Sequence, residues 1–133
     1  MPTDNLNITY FVDGQLNPDT SINEALDVLD VAAGTLLAID FSSDADLNIT
    51  AANPKPQQWQ HAGFILTDTG VVLTTGRNVV LPNTEKKRYY LVNQTAQTLT
   101  LKTSAGTGIA VATNKAACLY CDGTNVIRLT ADA

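Results

Sequence analysis

The chain has little charge for its length and few residues of the kinds that usually carry catalysis. Charged residues make up 16% of its 133 residues and aromatic residues 6%, and it has one histidine, two cysteines and one tryptophan. So few histidines and cysteines leave hardly any nucleophile–base pair or metal site to assemble. These absences predict a protein without enzymatic activity, metal or other cofactor.

Long apolar runs and a large patch of positive charge are also missing. No stretch approaches the about 20 apolar residues that span a bilayer. The N-terminus is polar and acidic, unlike a signal peptide. We therefore expect a protein that is made in the cytoplasm and has no membrane partner. Basic residues cluster only at Lys86, Lys87 and Arg88, too small a patch to predict nucleic-acid binding.

The two cysteines, Cys118 and Cys121, are three residues apart within a strand pattern. Side chains alternate along a strand, so this spacing directs the two thiols to opposite faces. They could share a metal ion or form a disulfide only across a bulge. We therefore expect two buried or half-buried small hydrophobic side chains, not a zinc or redox site.

The residues that are plentiful favour β-structure. Hydrophobic residues make up 44%, and short apolar runs recur between turn-forming residues at intervals of about 8–12 residues. Strands are predicted at 6–12, 35–41, 46–50, 64–67, 71–74, 78–81, 89–93, 98–102, 109–112, 117–121 and 126–129. The predicted fold is mainly β: an antiparallel, jelly-roll-like β-sandwich with one short N-terminal α-helix.

One helix is predicted at 21–33. Ser21 and Glu24 match a capping box, and Gly34 is a natural end. Apolar residues at helical spacing form a stripe: Ile22, Ala25, Leu26, Leu29 and Ala33. A helix of about three turns is marginal alone, so it must dock on its own sheet or on another subunit. The chain is accordingly divided into an attachment or oligomerisation segment, 1–34, and a β-sandwich domain, 35–133.

The segment 51–60 is the most loop-like, because Pro54 and Pro56 cannot donate to a sheet. Trp59 and His61 lie at its end. Trp59 is predicted either to cover one end of the core or to present its ring as a platform for a sugar. In the second case His61 is a further candidate glycan contact.

Three aspartates, Asp40, Asp44 and Asp46, lie close together in sequence. They lack the order of an EF-hand loop, so we interpret them as solvated turn residues, with a weak Ca²⁺ site as the alternative. Gly106 and Gly108 are similar to part of a dinucleotide-binding motif. No helix pattern follows them, which favours a hairpin in which glycine supplies positive φ.

Two patterns extend over longer stretches of the chain. Residues 1–60 hold nine acidic and one basic side chain, a charge of −8, whereas residues 61–133 hold four acidic and seven basic ones, +3. This split favours solubility or complementarity between subunits. Segments 37–51 and 90–104 each run strand, polar turn, strand, as expected of an old duplication or simply of two hairpins.

Two parts of the chain resemble bacteriophage tail-fibre and spike proteins. The helix segment is similar to an N-terminal motif of many tail-fibre, tail-tip and head-spike proteins, at Gly14, Gln15, Asn23, Glu24, Ala25, Leu26, Leu29 and Asp30. The lysine that often follows the glutamine in those proteins is absent. The second part resembles a β-module of tail-fibre-like proteins and comprises 76–82, 88–95, 106–111 and 120–126.

The resemblance implies a virion structural protein: a small fibre, spike or capsid decoration component on the particle surface. It implies a homotrimer that contacts other virion proteins of the capsid, tail or baseplate, and contact with host surface polysaccharide. The protein would be made in the host cytoplasm and located in the virion. The short chain favours a decoration or adaptor protein over a full fibre. The alternative is a stand-alone carbohydrate-binding β-sandwich module.

The contact with other subunits is expected on the N-terminal segment. The predicted interface residues are Gln15, Ile22, Asn23, Leu26, Val28, Leu29 and Val31. The two valines add more apolar surface than one docking face needs. Because similar proteins carry the helix motif near their attached end, the acidic N-terminal part is expected to face the particle and the sheet to face outward.

Overall fold

The computed structural model describes residues 6, 18–52, 54–82, 86–131 and 133. It begins with helix α1, Pro18–Gly34, and includes a one-turn 3-10 helix, Gln58–Gln60. The described part of the chain has nine strands: β1 (Leu36–Asp40), β2 (Leu47–Asn48), β3 (Gly63–Thr67), β4 (Arg77–Leu81), β5 (Lys87–Gln94), β6 (Leu99–Thr103), β7 (Ile109–Val111), β8 (Lys115–Cys121) and β9 (Val126–Arg128). The predicted class, mainly β with two sheets and one short N-terminal helix, is confirmed.

The first six strands wind back and forth between the two sheets. The five-stranded sheet has the order β1-β3-β5-β8-β9, and the four-stranded sheet has the order β2-β4-β6-β7. Leu36 pairs with Gly63 and Gly63 with Tyr90, so the chain returns to the first sheet every 27 residues. The pairings β1–β3, β3–β5, β2–β4 and β4–β6 are all parallel. The chain therefore forms a two-sheeted parallel β-solenoid of three turns, β1–β2, β3–β4 and β5–β6, which we call the coil.

The last three strands close this coil in the antiparallel direction. β7 pairs with β6, β8 pairs with β5, and β9 pairs with β8. The pairing of β8 covers β5 from Lys87 to Asn93. β7 and β8 thus pair with the edges of β6 and β5 to which a further turn of the coil could otherwise be added. This pairing makes those two edges unavailable to another chain.

The predicted antiparallel, jelly-roll-like connectivity is wrong for the coil. Side chains alternate inward and outward in the same way in parallel and antiparallel strands, so the hydrophobic pattern carries no information on strand direction. The similar segments 37–51 and 90–104 belong to the first and third turns. Leu37 is aligned through Phe64 with Leu91, one residue away from the alignment that the sequence suggests.

The hydrophobic core lies between the two sheets. Its larger buried residues come from the strands and from the segments that connect them: Phe41, Ile49, Trp59, Phe64, Leu66, Leu73, Val79, Leu81, Tyr89, Leu91, Leu99, Leu101, Val111, Leu119 and Val126. The rings of Phe64 and Tyr89 stack with 5.7 Å between their centroids. Burial of these side chains is the main contribution to the stability of the coil.

The boundaries of the helix and one of the predicted strands need correction. Helix α1 starts three residues earlier than predicted, at Pro18, because the fixed φ of proline suits the first helical turn. Segment 71–74 is not a strand: Leu73 is buried in a corner, and its amide donates to Asp68 Oδ2 (3.0 Å). The strand predicted at 6–12 lies outside the described residues except for Leu6. Within the described ranges, no helix is long and apolar enough to cross a membrane.

Two glycine positions show different reasons for glycine. The predicted Asp122-Gly123 turn is confirmed, since Gly123 has a φ of 99° and Asp122 Oδ1 accepts from the amide of Asn125 (2.8 Å). The positive φ predicted for Gly106 and Gly108 is wrong, because Gly123 is the only described glycine with positive φ. A Cβ at Gly106 would instead lie 1.8 Å from the carbonyl oxygen of Thr124, so close approach excludes larger residues there.

Candidate functional site

The predicted apolar stripe of α1 lies on the solvent side of the helix. Ile22 is 50% exposed, Leu26 58% and Leu29 49%. These residues are spaced so that they fall on one helical face. We call this surface, defined by Ile22, Leu26 and Leu29, the helix stripe. Within the described part of the chain it packs against nothing that buries it.

Helix α1 is attached to the coil by its opposite face. Val28 is fully buried and Val31 is half-buried. The amide of Ala62 donates to the carbonyl oxygens of Val31 (2.9 Å) and Thr35 (3.0 Å), which holds the C-terminal half of the helix. Because Val28 lies roughly half a turn around the helix from Leu26, this attachment turns the helix stripe outward.

The docking of α1 on the coil leaves some of the predicted interface residues exposed and buries others. Four of them are exposed: Ile22, Asn23, Leu26 and Leu29. The prediction for Val28 is wrong, because its side chain is buried within its own chain. Val31 is half-buried against the coil, and Gln15 lies outside the described residues. The helix has two apolar faces, and its sequence does not show which one docks on the coil.

The outer face of the five-stranded sheet carries a second apolar surface that sequence reasoning missed. An open groove of about 530 Å³ is lined by outward side chains of three strands, principally Leu36, Tyr90, Val92, Ala116 and Cys118. Tyr90 is 46% exposed. We call this surface the outer-sheet groove. Its signal is visible in the apolar residues that occupy both faces of β5 and β8, where one buried face would give strict alternation.

The charges near these two surfaces differ in sign. Helix α1 contains four acidic residues and no basic one: Asp19, Glu24, Asp27 and Asp30. Among the exposed basic residues of the sheet, Arg88 lies on the outer face of β5, two residues before Tyr90, whereas Lys86 directly precedes β5 and Lys115 begins β8. The −8 and +3 halves of the sequence therefore correspond in part to an acidic helix and a basic margin of the sheet.

The structure corrects the predicted glycan platform. Trp59 is fully buried, its indole N–H donates to Gln57 Oε1 (2.7 Å), and its carbonyl oxygen accepts from the Tyr89 hydroxyl (3.0 Å). Its ring therefore covers one end of the core and cannot stack on a sugar at the surface. His61 is half-buried, with Nδ1 3.1 Å from the carbonyl oxygen of Gln58, and its role as a glycan contact stays a prediction.

Asp40 ties the first turn of the coil to the second. Its carboxylate accepts hydrogen bonds from the Thr67 hydroxyl (2.8 Å) and from the amides of Thr69 (2.8 Å) and Gly70 (3.0 Å). These donors, Thr67 first, hold the pKa of the Asp40 carboxyl below its usual value. The side chain is exposed, but its oxygens are used within the fold.

Asp44 and Asp46 form similar ties to β4. Asp44 accepts from Nε (3.0 Å) and Nη2 (2.7 Å) of Arg77, and Asp46 accepts from the amide of Asn78 (2.9 Å). The three aspartates are thus spread along the coil as separate links. In the described ranges no three His, Cys, Asp or Glu side chains are grouped to hold a metal ion, so the alternative of a weak Ca²⁺ site has no support.

The two cysteines face opposite sides of the sheet, as their spacing predicts. Both are free thiols. Cys121 is fully buried in the core, and burial raises its pKa. Cys118 is half-buried and lines the outer-sheet groove. One thiol is therefore inert and the other is accessible from the outer face of the sheet.

Lys87, at the start of β5, has a displaced pKa. Its Nζ donates to the carbonyl oxygens of His61 (2.5 Å) and Arg88 (3.1 Å) and lies 4.3 Å from the centre of the Tyr89 ring. Burial of the amine, followed by the nearby charge of Arg88, lowers the pKa of Lys87 from 10.5 to about 8. Lys87 thus fastens β5 to the chain that leads into β3.

The lowered pKa of Lys87 predicts that stability rises with pH in the alkaline range. Between about pH 8 and the normal lysine pKa, the unfolded chain holds a proton that the folded chain has lost, so the free energy of unfolding increases with pH. From about pH 7 to about pH 10, wild type should gain about 2 kcal/mol relative to Lys87→Met. Urea unfolding at the two pH values measures this. Lys86→Met, at an exposed site, is the control and should show no such change. The prediction is contradicted if the difference in free energy of unfolding between wild type and Lys87→Met is the same at both pH values.

Comparison with known proteins finds no relative of this chain: no family, no curated protein and no solved structure matches it. The candidate site is therefore the pair of surfaces that the geometry leaves exposed, the helix stripe and the outer-sheet groove. Both are apolar, both are formed by residues on regular elements, and the fold of one chain covers neither with described residues.

Proposed function

We propose that this chain is a structural component of a bacteriophage virion, a small fibre, spike or decoration protein that assembles with copies of itself. The observation that carries this proposal is the helix stripe. Three large apolar side chains, each about half exposed on one helical face, form the kind of surface that marks a protein interface. The resemblance to phage fibre and spike motifs, which includes Leu26 and Leu29, supports the proposal that this interface belongs to a virion protein.

The use of polar side chains supports a structural role. Asp40, Asp44 and Asp46 each connect successive turns of the coil. In the described part of the chain, every buried side-chain nitrogen and oxygen has a hydrogen-bond partner. Satisfied polar networks make a fold rigid and specific. Such a scaffold suits a component whose task is to hold a fixed shape on a particle.

The assembly that we propose is a homotrimer, following the threefold symmetry that the resemblance implies. Its other partners are virion proteins of the capsid, tail or baseplate, bound through the acidic N-terminal part, with the sheet facing outward. A stand-alone carbohydrate-binding module is less well supported, because the ring proposed as its sugar platform, Trp59, is buried.

Self-assembly is tested by placing a charge in the helix stripe. Wild type should have a mass in light scattering of three 14.2 kDa chains, and Leu26→Asp should be a folded monomer. Because Leu26 is 58% exposed, its replacement should cost the free energy of unfolding less than about 1 kcal/mol. Thr20→Asp is the control: it adds the same charge at an exposed position of α1 away from the stripe and should remain trimeric.

Two results would contradict the proposal. If wild type is monomeric at high micromolar concentration, the chain does not assemble with itself. If the Leu26→Asp variant is still a trimer, the helix stripe is not part of the contact between subunits. The virion assignment has its own test, in which particles from the source of this sequence are purified on a density gradient. The protein should be present in a fixed copy number per particle, and its absence would reject the assignment.

A further inference from the structure

We propose that the outer-sheet groove of one chain receives the helix stripe of a second copy. This inference rests on the self-assembly proposed above and names the two surfaces that meet. It follows from three observations: a chain cannot fill its own groove with its own stripe, the two surfaces match in chemistry, and their flanking charges are of opposite sign.

A chain does not bring its own stripe to its own groove. Gly34, at the end of α1, borders the groove, so the two surfaces lie near each other. The helix, however, is fixed by buried Val28 and by the hydrogen bond from Ala62 to Val31. These contacts are on the face opposite to the stripe, which therefore points away from the coil. Filling the groove with a stripe requires a second molecule.

The groove suits an apolar helix face. Its lining is made of aliphatic, small and aromatic side chains, with Val92 and Ala116 paired across β5 and β8 in the same way as Tyr90 and Cys118. The small side chains of Ala116 and Cys118 on β8 leave room for an incoming side chain, and Tyr90 stands beside them, 46% exposed. A partly exposed tyrosine next to an apolar depression is typical of the anchor residues in protein interfaces.

The flanking charges favour this occupant. Arg88 lies two residues before Tyr90 on the same outer face of β5 and is exposed. On the helix, Asp30 is exposed one turn beyond Leu26, next to the stripe. Opposite charges around an apolar contact guide the encounter and select the correct partner. Two stripes facing each other would instead bring acidic helices together.

The contact is heterologous, since each copy contributes its helix to one neighbour and its groove to the other. Heterologous contacts close into rings when the rotation between copies allows it, and otherwise form open filaments. A closed ring of three copies satisfies every stripe and every groove. The proposed trimer would then have no unpaired apolar surface of this kind.

A disulfide between the two surfaces tests the proposal. Cys118 already lies in the groove, and Cys121 is buried and unreactive, so Leu26→Cys adds one thiol in the stripe. Mild oxidation of the full chain should give covalent dimers and trimers on a non-reducing gel. Leu26→Cys combined with Cys118→Ser should give none, because a disulfide requires Cα atoms within about 7 Å. Thr20→Cys, exposed away from the stripe, is the matched control and should also stay unlinked.

The other outcomes separate this inference from the proposed function. Links that persist after Cys118→Ser would show that stripes contact stripes, and an internal disulfide in a monomer would show that each chain fills its own groove. An oligomer in light scattering that never links at Cys118 would likewise reject the groove. In the first and third cases self-assembly stands and only the groove contact is overturned. A wild type that is monomeric in light scattering would instead reject the proposed function.

Discussion

We expect Gly63→Ala to lower the free energy of unfolding by more than about 3 kcal/mol or to prevent folding, because it forces two strands apart. A Cβ at Gly63 would lie 1.9 Å from the carbonyl oxygen of Tyr90 and 2.7 Å from its carbonyl carbon and nitrogen. The obstacle is backbone, which cannot rotate away as a side chain can. β5 is also held on its other side by β8, so it has little freedom to retreat.

Urea unfolding, followed by the fluorescence of the single buried Trp59, measures the effect of Gly63→Ala. Gly34→Ala is the matched control, because a Cβ at Gly34, the last residue of α1, meets nothing within 4 Å. That variant should equal wild type or exceed it by up to about 1 kcal/mol. Equal stabilities of the two variants would show that β3 and β5 do not approach as closely as described.

The second large effect is expected for Asn93→Leu, at about 3 kcal/mol of lost stability. Asn93 is fully buried on β5. Its Nδ2 donates to the carbonyl oxygens of Gln97 (2.8 Å) and Val111 (2.9 Å), and its Oδ1 accepts from the amide (2.9 Å) and hydroxyl (2.7 Å) of Thr95. Leucine has a similar shape but leaves these buried groups without partners.

The amide of Asn93 connects the corner after β5 to β7, so the same substitution should also weaken the closing strands. Hydrogen exchange of the β7 amides is expected to speed up in Asn93→Leu before global unfolding. Gln94→Leu, at the exposed neighbouring position, is the control and should change stability by less than about 0.5 kcal/mol. If Asn93→Leu unfolds at the same urea concentration as wild type, other contacts hold the corner after β5.

The parallel coil explains why both positions are sensitive. Gly63 and Asn93 belong to strands that are stacked at a spacing of 27 residues, so each strand has neighbours from distant parts of the chain. A distortion in one turn is passed to the turns on both sides. By contrast, the outward residues of α1 contact little of their own chain, which is why changes in the helix stripe should affect assembly more than stability.

For most strand residues, the sequence could predict whether the side chain faces the core or the solvent. Tyr89, Leu91 and Asn93 point inward on β5 while Arg88 and Tyr90 point outward, as simple alternation requires. The helix end at Gly34, the turn at Gly123 and the opposite orientation of the two cysteines follow from equally local rules. Each of these features depends only on the residue and its immediate neighbours.

The candidate site could be predicted only in part. The helix stripe was visible as an apolar pattern, but the choice between Leu26 and Val28 as the exposed face was not, since both faces of α1 are apolar. The sequence signal of the outer-sheet groove is limited to the apolar residues on both faces of β5 and β8, because Leu36, Tyr90 and Cys118 become neighbours only through the pairing of β1, β3, β5 and β8. For Trp59 the sequence left two alternatives, a ring that covers the core and an exposed sugar platform. Its burial and its hydrogen bonds with Gln57 and Tyr89 show that it belongs to the core.

The sequence by itself determined that this protein is mainly β, that it has one short helix, and which side chains of each strand face inward. The tertiary structure alone decided that the strands stack in parallel as a coil, that α1 docks through Val28, and that an apolar groove is left on the outer sheet. The reason is physical. Periodicity and turn chemistry act between near neighbours, whereas strand direction and docking faces are set by the total burial and hydrogen bonding of residues far apart in the chain.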